Sequence, residues 1–146
     1  PSSSPVETEG VGRLANPFEN IPRGLPALQR SQKIGSKTVR YNFDWSSPDD
    51  VFAKLEEEIT ELKEAYKQKN KSEQEKELGD VLFTVAQLAR HLELDAEKAL
   101  RLGNSKFETR FLKMRQLIAD DQRDYASLST NELEVYWQKA KIFEKL

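Results

Sequence analysis

Residues 47–66 read SPDDVFAKLEEEITELKEAY, and this stretch decides the fold. Ser47 suits a helix N-cap, Pro48 suits the first helical position, and Asp50 places negative charge in the first turn. Val51, Leu55, Ile59, Leu62 and Tyr66 then recur at three- and four-residue intervals, the signature of one apolar stripe on an amphipathic helix.

The same period extends in both directions. Upstream, GLPALQRSQKIGSKTVRY carries Leu25, Leu28 and Ile34 and predicts a first helix, broken at Asn42 to Ser47. Downstream, KQKNKS ends the second helix, and Ser72 with Glu75 forms an S-x-x-E capping box for a third. Leu78, Val81, Val85, Leu88 and Leu92 are its expected buried face. Asp95 is placed to cap a fourth helix, whose core residues would be Leu100, Phe107, Phe111, Met114 and Ile118. After DDQRDYAS, Ser129 and Glu132 make another capping box, and Leu133, Tyr136, Trp137 and Ala140 line a fifth helix. No segment alternates at period two for the length of a strand. The prediction is an all-α protein: an antiparallel four-helix-bundle-like core with an additional C-terminal helix.

Composition narrows the function. The chain has 146 residues, enough for one domain with a sizeable core. Residues 24–146 read as that domain, and 1–23 as a flexible leader or linker, with four of the six prolines and no helical period. The start at Pro1 suggests a processed chain or a domain cut from something longer. With 23 basic and 25 acidic side chains the net charge is −2, which argues against a general nucleic-acid binder. Without cysteine and with one histidine, thiolate and polyhistidine metal sites are excluded, so a bound metal must be held by oxygen. No membrane-spanning run and no signal-peptide pattern appears, so a cytosolic (cytoplasmic) protein is expected.

The second helix carries Glu57, Glu58 and Glu61, an E-E-x-x-E pattern, and the third carries Glu77 and Asp80, an E-x-x-D pattern. Residues three apart share one side of a helix. Glu58 lies about 60° from the middle of its apolar stripe and Glu77 about 80° from its own, with Glu61 and Asp80 further round. If the two helices pair antiparallel, four carboxylates surround one position, and a divalent cation would resolve their repulsion. Taken alone, such acid pairs more often serve as solvated surface.

In this company the motifs carry more. The chain resembles the MazG family of all-α nucleoside triphosphate pyrophosphohydrolases from Gly24 to Lys141, through the ordered blocks GLPALQRSQKI, FDW, LEEEITELKEA, ELGDVLFTVAQLARHL, NSKFETRF and VYWQKAK. The resemblance implies hydrolysis of a nucleoside triphosphate to monophosphate and pyrophosphate. It also implies Mg2+, with Mn2+ able to substitute, held by Glu58, Glu61, Glu77 and Asp80. Glu57 matches the leading acid and would orient or deprotonate the attacking water, or else lie on the surface. Lys106 and Arg110 match a basic pair suited to a polyphosphate, though i,i+4 spacing equally suits pairing with helix acids. Asn104 falls on the apolar side of the fourth helix, where it either touches substrate or joins a buried network. Trp137 and Lys141 match a W-x-x-x-K pattern and would support nucleotide and phosphate, unless the indole is core. His91, Phe43 and Trp45 read as structural, and the roles of Arg30 and Lys33 stay open.

The resemblance further implies a homodimer or larger homo-oligomer. Two departures stand out: Asn42 and Gly103, where many members have glycine and alanine. The rivals are narrower hydrolases of dUTP, dCTP or phosphoribosyl-ATP on the same fold, and a catalytically silent helical module.

Overall fold

The computed structural model describes residues 14–144. Residues 1–13 of the expected leader lie outside it, and within 14–23 Ile21 is buried. Five helices follow: α1 (Ala27–Val39), α2 (Pro48–Lys67), α3 (Lys71–His91), α4 (Ala96–Asp120) and α5 (Thr130–Glu144). A 3-10 turn at Tyr125–Ser127 precedes α5, and no strand occurs among the described residues. None of the described helices is long and apolar enough to cross a membrane.

The local signals work as their chemistry requires. The Ser47 side chain accepts from the Asp50 amide at the start of α2. At α5 the capping box closes both ways: Ser129 N–H donates to Glu132 Oε1 at 3.0 Å and Glu132 N–H to Ser129 Oγ at 3.2 Å. The start of α3 differs from expectation. Its cap is Asn70, whose Oδ1 accepts from the Glu73 amide, and Ser72 is already inside the helix. The cause lies one residue earlier, where Lys69 takes a left-handed conformation (φ 55°) and turns the chain straight into α3.

That conformation recurs at every helix end from α1 to α4. Asn42, Lys69, Glu93 and Gln122 all have positive φ, and each is followed by an amide reaching back five residues: Phe43 to Thr38, Asn70 to Ala65, Leu94 to Ala89, Arg123 to Ile118. These are Schellman closures made without glycine. Asn42, a departure from the family pattern, is the non-glycine residue type that tolerates this region best.

The chain divides into two compact units, Pro1–Glu97 and Lys98–Leu146. In the first, α2 and α3 fold back on each other through a three-residue link, and α1 packs on α3. Contact between α1 and α3 is close because Gly35 has no side chain. A Cβ there would fall 1.8 Å from the Gln87 Oε1 and 2.6 Å from its Cδ. Gln87 is fully buried, donating to the Ser31 carbonyl at 2.6 Å. In the second unit, Met114 and Ile118 of α4 meet Tyr136 and Ala140 of α5, with Phe111, Leu133 and Trp137 around them.

Several residues expected in the core are exposed instead, among them Ile59, Leu78, Val85, Leu92, Leu100 and Phe107. The buried line of α2 is Val51, Glu58 and Ala65, and that of α3 is Thr84, Ala86 and Gln87. The periodicity was read from the large apolar residues, whereas these helices meet largely over small and polar ones.

A left-handed lysine costs backbone energy that glycine does not incur. Lys69→Gly is therefore expected to raise the unfolding free energy by up to about 1 kcal/mol and Lys69→Val to lower it, as read by urea denaturation. Equal stabilities of the two variants would contradict this account of the turn.

Candidate active site

Glu58 occupies a core register position of α2, seven residues from Val51 and from Ala65, and is only 6% exposed. Glu77 and Asp80 reach the same place from α3. One carboxylate oxygen of each lies within 4.8 Å of the others. Oε2 of Glu58 and Oε2 of Glu77 are buried without a hydrogen-bond partner among the described residues. Partnerless desolvated carboxylate oxygens are costly, and clustering like charges adds to the cost. Among the described residues, the cation paired with Glu58 is Lys54, one turn earlier, with Nζ 3.2 Å from Oε1 of Glu58 and 3.4 Å from Oε1 of Glu57. That leaves the orphan oxygens bare. Three oxygen donors converging in this way fit a hard divalent cation such as magnesium or manganese.

Glu61 is exposed and stands outside this trio. Glu57 faces solvent, paired with Lys54.

Lys54 also borders a cavity of about 440 Å³ formed by α1, the 40–47 connection and α3. Its walls are mostly apolar: Ile34, Phe43, Trp45 and Phe83, with Gly35 leaving room. Three of the polar groups there, Gln87, Arg90 and Asp44, are bonded to one another. Arg90 donates Nε to Gln87 Oε1 at 2.8 Å and grips Asp44 with both terminal nitrogens, at 3.1 and 2.6 Å. Nε2 of His91 lies 2.9 Å from Asp44 Oδ1, and the Trp45 ring meets the imidazole edge-on at 6.1 Å. Burial pushes the Asp44 carboxyl up. The hydrogen bonds from Arg90 and His91 and the Arg90 charge outweigh it and hold Asp44 at about 2. The structural reading of Trp45 and His91 thus acquires a centre, Asp44, that the sequence reading did not single out.

The basic group belongs to the second unit. Arg110 donates Nε and Nη2 to the Glu144 carboxylate at 2.9 and 2.6 Å, and its guanidinium lies 5.3 Å from the Trp137 ring. Trp137 is both core periphery and platform, packed on Phe107 with centroids 5.1 Å apart. The Arg110 hydrogen bond first, then its charge and those of Lys106 and Lys141, hold the Glu144 carboxyl below its ordinary value against desolvation. Lys106, Arg110 and Lys141 therefore gather around Glu144, with Trp137 against Arg110. Asn104 does not lie on a buried face: it is exposed, and the buried-network reading falls away. Of the residues left open, Lys33 lines a small hollow with Gln29, Gln32, Ser36 and Asp95, and Arg30 keeps Nη1 buried without a partner.

Lys54, Asp44 and Glu144 were missed by the sequence reading. Lys54 was findable at i−4 from Glu58. Glu144 had no local signal, since its partner lies 34 residues away.

Residues 46–113 match the MazG nucleotide pyrophosphohydrolase domain, a span holding Glu57, Glu58, Glu61, Glu77 and Asp80 together with Lys106 and Arg110. The chain is 43% identical over 117 residues to the Thermotoga maritima protein named nucleoside triphosphate pyrophosphohydrolase/pyrophosphatase MazG, covering 80% of this chain and 45% of that one. It is 38% identical over 140 residues to the Escherichia coli nucleoside triphosphate pyrophosphohydrolase, covering 93% and 53%. A Bacillus subtilis protein named uncharacterized protein YabN matches at 30% over 69 residues, 47% of this chain and 14% of that one. Over residues 46–113 the chain carries a MazG domain, and its likeness to MazG proteins extends over most of its length. It spans about half the length of the first two relatives.

Because Asp44 titrates lower folded than unfolded, its contribution is complete above about pH 4 and is lost as the pH falls through about 2. Asp44→Asn is expected to cost about 1–3 kcal/mol at pH 7 and to flatten the stability loss over that acid window, measured by urea titrations across pH. An unchanged acid profile would contradict the Asp44–Arg90–His91 network.

Proposed function

We propose that this chain hydrolyses nucleoside triphosphates to monophosphate and pyrophosphate, with magnesium held by Glu58, Glu77 and Asp80 and with Glu61, one turn along α2, within the coordination sphere of the loaded site. The observation that carries this reading is the convergence of three carboxylates with two buried oxygens left without partners. Manganese suits the same donors. What such an ion supplies is neutralisation of charge along the triphosphate and a more acidic water.

The remaining work falls to the chain's own side chains. Glu57, solvent-facing beside the trio, is the acid available to orient or deprotonate the attacking water. Lys106 and Arg110 balance charge on the departing pyrophosphate, with Lys141 adding to the field and Trp137 fixing the guanidinium plane. Asn104, exposed on α4, is available to contact substrate.

The 440 Å³ recess beside Lys54 suits the nucleoside portion. Its aromatic walls offer stacking, while Gln87, Arg90 and Asp44 are engaged with one another. Few hydrogen-bonding groups are left to read a base edge, which supports broad base acceptance. The exposed apolar residues Ile59, Leu78, Leu82 and Val85 on α2 and α3 support a homodimer or larger assembly. A nucleotide substrate fits a cytoplasmic location.

The test is product analysis after incubation with a panel of NTPs and dNTPs, in magnesium and in EDTA, on material whose assembly state is read by light scattering. Monophosphate plus pyrophosphate from several bases, lost in EDTA and produced by a dimer or larger species, is expected. Glu58→Ala and Asp80→Ala should each reduce turnover by more than about 100-fold with helical circular dichroism intact. Diphosphate plus orthophosphate would overturn the bond assignment, full activity in either variant the ligand assignment, and an active monomer the assembly.

A further inference from the structure

The basic group on α4 and α5 already holds an anion, and that anion is part of the chain. Glu144 takes the Nε and Nη2 edge of Arg110 in a two-bond clamp. This is the edge a phosphate would engage, because two parallel N–H donors match a pair of phosphate oxygens as well as a carboxylate. The guanidinium carbon of Arg110 lies over the Trp137 ring, 5.3 Å from its centroid, which leaves the Nε and Nη2 edge to the carboxylate. The side-chain exposures are 16% for Arg110 and 28% for Glu144, so an incoming anion can reach the pair from solvent.

We propose that Glu144 is an internal competitor at the phosphate-binding position of Arg110, so that substrate and pyrophosphate bind by displacing its carboxylate. This rests on the reading of Arg110 as a phosphate ligand and deepens it, since it assigns that position a selectivity. A single carboxylate neutralises part of the charge of Lys106, Arg110 and Lys141 and keeps the guanidinium aligned. A polyphosphate brings several negative charges at once and wins the exchange. A monophosphate or orthophosphate brings fewer and displaces the carboxylate poorly. Glu144 thereby favours polyphosphate over monophosphate. By returning to Arg110 it also speeds release of pyrophosphate.

The apparent affinity of a ligand falls by the fraction of protein in which its position is free. Removing the competitor should therefore tighten binding without new contacts. Glu144→Gln keeps size and removes charge. The expected result is a KM for triphosphate lower by about fivefold to tenfold, with a parallel fall in the pyrophosphate inhibition constant. Calorimetric titration with inorganic pyrophosphate in EDTA should show the same gain independently of turnover, and Glu144→Asp should restore most of the wild-type behaviour. Unchanged or weaker pyrophosphate binding in Glu144→Gln, with normal circular dichroism, would overturn the proposal. Arg110→Ala separates this from the reading beneath it. Loss of pyrophosphate binding there with no gain in Glu144→Gln would leave Arg110 a phosphate ligand and refute only the competition, whereas no effect of either substitution would refute both.

Discussion

A carboxylate placed where a helix register calls for an apolar side chain is the constraint on which the candidate site depends. Glu58 stands between Val51 and Ala65 on the buried line of α2, with one oxygen lacking a partner. In water such a group would be solvated at little cost, but here it is desolvated beside Glu77 and Asp80. Lys54 relieves only part of that cost, since Oε2 of Glu58 and of Glu77 stay without a partner among the described residues, a pattern that fits an external cation. Lys54 pairs with Oε1 of Glu58 and also edges the recess, so one side chain links the acids to that cavity.

The recess depends on a second constraint, the close approach of α1 to α3. Gly35 lets the Gln87 amide lie against α1, and Gln87 in turn orients Arg90 toward Asp44. Asp44 ties the α1–α2 connection to the end of α3, where His91 and Trp45 complete the wall. Gln87, Arg90 and Asp44 spend polar atoms on each other in this way, and the walls beside them are mostly apolar.

Much of this was legible in the sequence, because its strongest signals are local. The Ser47 cap and the Ser129–Glu132 box act over three residues, and the structure forms both. The E-x-x-E and E-x-x-D spacings bring Glu58, Glu77 and Asp80 together because i,i+3 geometry on two joined helices permits it. Glu61 shows the limit of spacing: sharing a side of α2 with Glu58 does not carry it into the trio. At α3, Ser72 obeyed the capping rule and still lost to Asn70, because the left-handed Lys69 moved the helix start. The open faces at Leu78 and Val85 and the Arg110–Glu144 clamp depend on what packs where between distant segments, which periodicity does not encode.

The central claim is that the α2–α3 carboxylates form a divalent-metal site. It is tested most directly by titrating the protein with Mn2+ and following free metal by electron paramagnetic resonance, with Glu77→Gln alongside. The account predicts saturable binding by the wild type, displacement of Mn2+ by excess Mg2+, and strong weakening in the variant at unchanged helical content. No saturable binding by the wild type, or equal binding by the variant, would contradict it.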